Sequence, residues 1–145
     1  MKKTLTKTAL LLSVIMLTAC TSEEKRIEKT AYKYSFAMAN YDVDGAERYA
    51  TPETIETTLQ TARGLLPLVD TNYIKSDTPA TIEIKHIEII DDTSAYVTFH
   101  KHTPIKDFDH NIAIRKRGRH WLAHDPIPVR KAPLPEGMDD QVAEE

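Results

Sequence analysis

The hydrophobic period of this chain changes once, near Ala80, and that change limits the folds open to it. Upstream, apolar residues recur every three to four positions: Ile27, Ala31, Tyr34, Met38 and Tyr41 mark one stripe of an amphipathic helix from about Lys25 to Asn40. Val43, Ala46 and Tyr49 mark a short second helix starting at Asp42 or Asp44, either of which offers a carboxylate to the free N–H groups. Thr51-Pro52-Glu53 opens a third: Thr51 caps, Pro52 sits where its missing N–H is harmless, and Glu53 complements the dipole. This helix runs to about Leu66 with Ile55, Leu59, Ala62 and Leu66 inward, and Pro67 ends it. Asp70 to Pro79 reads as polar connection. Downstream the period is two, and four antiparallel strands are predicted: about Thr81 to Ile90, Ser94 to His102, Phe108 to Lys116 and Arg119 to Asp125. Helices followed by a meander predict an α+β fold, with N-terminal helices on one face of a curved four-stranded antiparallel sheet.

The strand pattern also predicts faces. A two-residue turn at Arg117-Gly118 pairs Lys116 with Arg119, Ile114 with Trp121, Ile112 with Ala123 and His110 with Asp125. Setting Val97 opposite Ile114 and Phe99 opposite Ile112 then gathers Ala95, Val97, Phe99, His110, Ile112, Ile114, Trp121 and Ala123 on the inner face. Tyr96, Thr98, His100, His102, Asn111, His120, Leu122 and His124 face outward. In the first strand Ile82 and Ile84 are out of phase with Ile87 and Ile89, which predicts a bulge near Lys85-His86.

At the amino terminus Lys2, Lys3 and Lys7 precede an apolar run of about ten residues, which as a helix spans roughly 15 Å, about half a bilayer core. Such a segment reads as an export signal rather than a span. The run closes in Leu17-Thr18-Ala19-Cys20, which resembles the lipobox of bacterial lipoproteins. The resemblance implies cleavage before Cys20 and a diacylglyceryl thioether on its sulfur, a chemistry that requires the thiol. It divides the chain into a signal peptide (1–19), a lipidated tether (20–25), a domain (26–125) and a proline-rich acidic tail (126–145). Thr21 in place of aspartate favours the outer membrane by analogy with enteric lipoproteins, and Glu23-Glu24 resembles surface-export signals of some lipoproteins or reads as solvated linker, leaving a periplasmic or a surface-facing domain. Cys20 is the only cysteine, so no intramolecular disulfide forms. Removing residues 1–19 takes away three of the nineteen basic residues and none of the twenty-two acidic ones, leaving a net charge of −6 and arguing against a nucleic-acid partner.

Three helices with a Thr51-Pro52-Glu53 start, followed by a sheet ending in Arg117-Gly118-Arg119-His120-Trp121, resemble the nuclear transport factor 2-like fold, the cystatin-like α+β cone. The segment from Phe36 to Tyr49 is similar to the helix, turn and helix of small bacterial lipoproteins with that fold. The resemblance implies a pocket between curved sheet and helices, or a working outer face. It supplies no catalytic constellation, because one fold hosts many functions.

Three groups of residues are candidates for chemistry. His110 and Asp125, with Lys101 beside them, form either a general-base pair in a pocket or a hydrogen-bonded rim of the core. On the outer face His100, Asn111 and His124 fall in one row and His102 opposes Asp109; these imidazoles are candidate metal ligands or pH-sensitive groups on a solvated face. Arg115-Lys116-Arg117-Gly118-Arg119-His120 concentrates positive charge at one hairpin tip, suited to lipid phosphates, an acidic partner or plain solvent. No cofactor is implied. The leading reading is a membrane-anchored, non-catalytic binding or interaction module of the bacterial envelope, meeting a protein partner or small ligand. The competitors are a small hydrolase, isomerase or lyase using His110 and Asp125, and an accessory protein that neutralises a specific partner.

Overall fold

The computed structural model describes residues 4–128, with side chains from residue 22 onward. The side chains of the apolar leader and of Cys20, and the tail beyond residue 128, lie outside the described residues.

Helix α1 (Thr4–Ala39) lays its predicted stripe across the sheet: Ile27, Ala31 and Tyr34 are buried, and Met38 packs against the same core. It ends where the N–H of Asp42 bonds to the carbonyl of Ala37 (2.9 Å) across Tyr41, which holds a left-handed φ of 63°. Helix α2 (Val43–Glu47) begins at Asp42, whose carboxylate accepts from the N–H of Gly45 at 2.9 Å, and buries Val43 and Ala46. Thr51 caps α3 (Pro52–Thr54) as its sequence predicts. The helix then widens into a π-helical turn (Ile55–Leu59), narrows to α4 (Gln60–Leu65) and tightens to a 3₁₀ turn (Leu66–Leu68). Pro67, the predicted stop, therefore lies inside that last turn, which continues to Leu68. It tolerates the place because the 3₁₀ turn is short and Pro67 sits at its start, where no N–H is required.

The predicted polar connection contains a further helix, α5 (Thr71–Asp77), capped by Asp70 on the N–H of Asn72 at 2.7 Å. It carries no apolar stripe. What holds it are polar contacts: the Tyr41 hydroxyl donates to Asp77 at 2.8 Å, and Lys106 reaches the Tyr73 hydroxyl at 3.0 Å. Hydrophobic periodicity is blind to that kind of attachment.

Strands β1 (Thr81–Asp91), β2 (Ser94–His102), β3 (Asp107–Arg117) and β4 (His120–His124) form a four-stranded antiparallel meander in that order. The register breaks between Ile84 and His86, placing the expected bulge at Lys85; it turns Ile84 and Ile87 to the same side, against the core. The last hairpin turns on Gly118-Arg119 rather than Arg117-Gly118, and Arg117 pairs with His120, Lys116 with Trp121 and Ile114 with Ala123. Gly118 alone carries positive φ (60°) in this turn, at the first central position, which suits a type II′ hairpin. With arginine at that position the same backbone would be strained. Pairing of β2 with β3 slides by the same amount: Ala95 faces Ile114 and Val97 faces Ile112. Both slips are two residues, so every predicted inner residue keeps its face. His110 sits opposite Phe99, beyond the end of β4, so it has no strand partner in Asp125.

Loop 49–51 seals one edge of the sheet: Ala123 donates to the carbonyl of Tyr49 (2.7 Å), and Thr51 donates to that of Ala123 (2.9 Å). Glu23, read from sequence as linker, is held on the sheet by the Trp121 indole N–H and by Lys116 at 3.2 Å.

Candidate functional site

Between α1 and the β2–β3 half of the sheet lies a cavity of about 170 Å³. Phe99, Phe108, Ile112, Met38 and Ala39 give it an apolar lining, because the inner face of the sheet and the stripe of α1 meet there at an angle and leave space between them. Its polar groups are few: Tyr34 and Ser35 from α1, Lys101 and His110 from the sheet, and Asp125 from the segment leaving β4.

The geometry brings His110 and Asp125 to one cavity without joining them. Among the described residues no hydrogen bond links the pair, and the imidazole instead packs at 5.4 Å on Phe99 and edge-on at 6.4 Å to Phe108. Burial pushes the Asp125 carboxyl above its usual range, and the nearby His110 and His124 only partly offset that. Burial likewise lowers the Lys101 ammonium, which lies over the face of Phe108 at 5.6 Å. The Tyr34 hydroxyl is pushed up by burial and then by Asp125. The hydroxyls of Tyr34 and Ser35 are buried with no hydrogen-bond partner in the protein. A buried polar atom left unpaired costs about 1–3 kcal/mol, so both hydroxyls weaken the packing of α1 behind the cavity wall.

Asp125 is positioned from behind by a row of threonine hydroxyls on α3 and the π-helical turn. Thr54 accepts from the N–H of Asp125 at 2.8 Å, Thr58 donates to its carbonyl, and Thr57 accepts from the N–H of Ile127 at 3.2 Å. The wider π-helical spacing brings Thr57 and Thr58 both onto the segment that follows β4.

Comparison with known proteins returns two similar structures. No protein-family model matches the sequence, and no curated protein does. A proposed NTF2-like transpeptidase from Campylobacter jejuni superposes with a TM-score of 0.51 at 14% identity, over 67% of this chain and 95% of the other. An NTF-2 like protein of unknown function from Shewanella oneidensis MR-1 also superposes with a TM-score of 0.51 at 14% identity, over 70% and 97% of the respective chains. The fold is NTF2-like. The α+β reading and the cone resemblance are thereby established; at that identity the likeness carries the fold and nothing of activity.

The candidate histidines of this domain do not converge. With the two-residue slip, His100 meets Asp109 at 2.7 Å and His102 pairs with Asp107 instead, while Asn111 accepts from Thr98 at 2.7 Å. His124 turns to the sheet edge, its Nδ1 3.1 Å from the Thr51 hydroxyl. Among the described residues no three side chains of metal-ligating type come together.

Sequence reasoning singled out His110, Asp125 and Lys101 but missed Tyr34 and Ser35. Tyr34 belongs to the predicted apolar stripe and is buried there; that its hydroxyl has no partner is set only by tertiary packing. Ser35 lies one position off the stripe, and only docking on the curved sheet buries it.

Proposed function

We propose that this chain is a membrane-anchored binding module of the bacterial envelope, tethered through lipidated Cys20, that holds a small ligand in the cone cavity. The observation that supports the binding reading is the cavity itself, lined by Phe99, Phe108, Ile112 and Met38 with Lys101, His110 and Asp125 as its charged or titratable groups. The cavity volume is on the scale of one aromatic ring, since about 150 Å³ accommodates benzene. Its chemistry selects further: an apolar lining and the Lys101 ammonium suit a small amphiphile with a carboxylate or carbonyl head. The anchor reading rests on the sequence Leu17-Thr18-Ala19-Cys20 after a basic, apolar leader.

Two measurements test it. Mass spectrometry of the amino-terminal peptide from membranes is expected to show a diacylglyceryl adduct starting at Cys20; an unmodified thiol overturns the anchor. A thermal-shift screen of aryl and short-chain carboxylates is expected to raise the melting temperature of the wild type and not of Lys101→Met. Equal shifts in both, or none in either, overturn the ligand class.

A second reading is an enzyme of hydrolase, isomerase or lyase type. The raised carboxyl of Asp125 beside His110 favours it, because a desolvated carboxylate is a stronger base. Turnover of a bound carboxylate that disappears in His110→Ala with melting unchanged would establish it.

A further inference from the structure

The basic hairpin run is largely consumed within the fold. Arg117 pairs with Glu53 at 3.0 Å, Lys116 lies between Glu23 and the face of Trp121, and Arg115 packs over Tyr96. Arg119 and His120 are left over, and a different set of cations joins them. Arg26 and Lys29 of α1, Arg48 after α2, and Arg119 and His120 of the hairpin surround a groove of about 260 Å³ whose base is formed by Tyr49, Trp121 and Leu122. Lys29, Arg48 and Arg119 have no ion pair or hydrogen bond from their side chains among the described residues. Glu23, at the groove's edge, is already held by Arg26, Lys116 and Trp121. Three uncompensated cations around one concavity are conspicuous on a chain of formal net charge −3.

The groove's position says what it meets. Arg26 donates to the carbonyl of Arg119 at 2.8 Å, so the hairpin tip is fastened to the part of α1 that follows Cys20. That helix is continuous from Cys20 to Arg26, a rise of about 9 Å, comparable to the headgroup layer of roughly 5–8 Å on each side of a bilayer core. Helical side chains lean toward the amino terminus, so Arg26 and Lys29 extend from α1 in the direction of Cys20. We propose that this groove is a docking site for the phosphate-bearing headgroups of anionic lipids in the membrane that holds Cys20. This inference rests on the anchor reading for its geometry, and it makes the domain sit in one orientation, hairpin tip against the bilayer.

Trp121 is the single tryptophan and lines the groove, so it serves as the reporter. The full chain, purified from membranes as processed there, is mixed with vesicles of phosphatidylcholine alone or with added phosphatidylglycerol, each carrying a dansyl-headgroup lipid. Flotation and energy transfer from Trp121 are read together. The expected result is flotation with both vesicles and greater transfer on the anionic ones. That excess is lost in Lys29→Gln/Arg48→Gln/Arg119→Gln and by raised salt, and retained in Lys33→Gln/Lys75→Gln/Lys85→Gln, all with melting unchanged. Flotation without an anionic excess, or equal loss in both triple variants, overturns the groove and leaves the anchor standing. Flotation on anionic vesicles only, abolished by the first triple variant, sinks the anchor and supports the headgroup site. A Trp121 response to inorganic phosphate with none to phosphatidylglycerol overturns the lipid source in favour of a soluble anion.

Discussion

Tyr41 holds a conformation that bulky residues avoid, and it does so for a partner. A φ of 63° at a helix end is ordinarily occupied by glycine or asparagine. Here the aromatic ring carries a hydroxyl to Asp77, a fully buried carboxylate whose other oxygen has no hydrogen-bond partner. Burial and then that hydrogen bond push the tyrosine up to about 12. Burial raises the Asp77 carboxyl, but the Tyr41 hydroxyl, then Thr103 and the Lys106 ammonium, outweigh it and hold it below its usual range. Tyr41→Phe removes that hydrogen bond and leaves the buried carboxylate with the 3.7 Å ion pair to Lys106, so it is expected to destabilise the fold by about 1–3 kcal/mol, read from urea unfolding. The two shifted aspartates act on stability with opposite sign. Asp77, lowered in the folded state, contributes stability present above the ordinary aspartate range and lost as pH falls through its folded value. Asp125, raised in the folded state, makes the native protein bind the extra proton, so its effect is a loss of stability as pH rises from the unfolded to the folded value. Asp125→Asn is therefore expected to raise the urea midpoint at neutral pH and to leave it unchanged well below pH 4; the same gain at both would show that the charge is not the cause.

Among the elements, the β3–β4 hairpin shows what a turn decides. The alternation of Ile112, Ile114, Trp121 and Ala123 names their common face, yet a slide of two residues preserves that face completely. Which of two such registers forms depends on where glycine is needed, and Gly118 takes the first central position. A Cβ there would meet nothing within 4 Å, so Gly118→Ala tests backbone conformation alone. It is expected to cost roughly 1–2 kcal/mol, by urea unfolding, without altering cavity binding. The slide has chemical consequences: it pairs His100 with Asp109, moves His102 to Asp107 and leaves His110 without a partner on β4. The same dependence on local chemistry appears in α5, which is held by Tyr73 and Asp77 rather than by an apolar stripe.

At the scale of the whole molecule, α1 and the sheet share one buried cluster that includes Ile27, Ala31, Tyr34, Val97, Ile114 and Trp121. Trp121 is joined to α1 twice, by its indole N–H to Glu23 and by its carbonyl to the Thr30 hydroxyl at 3.0 Å. Helix and sheet are thus expected to unfold together: Trp121 fluorescence and far-ultraviolet circular dichroism should give superimposable urea transitions, and a separate helical transition would contradict the shared core. The α+β class, a helix start at Asp42 or Asp44, another at Thr51, a bulge near Lys85-His86 and the inward residues of the sheet follow from the sequence by itself; the structure selects Asp42 and Lys85. Each depends on periods, caps and turn residues that act within a few positions along the chain. The row in which residues meet across the sheet, the helix at Thr71–Asp77, the unpaired hydroxyls of Tyr34 and Ser35 and the cationic groove were decided only by the tertiary structure. Side-chain alternation specifies a face and not a row, and a polar atom is paired or orphaned only by residues that arrive from far along the chain.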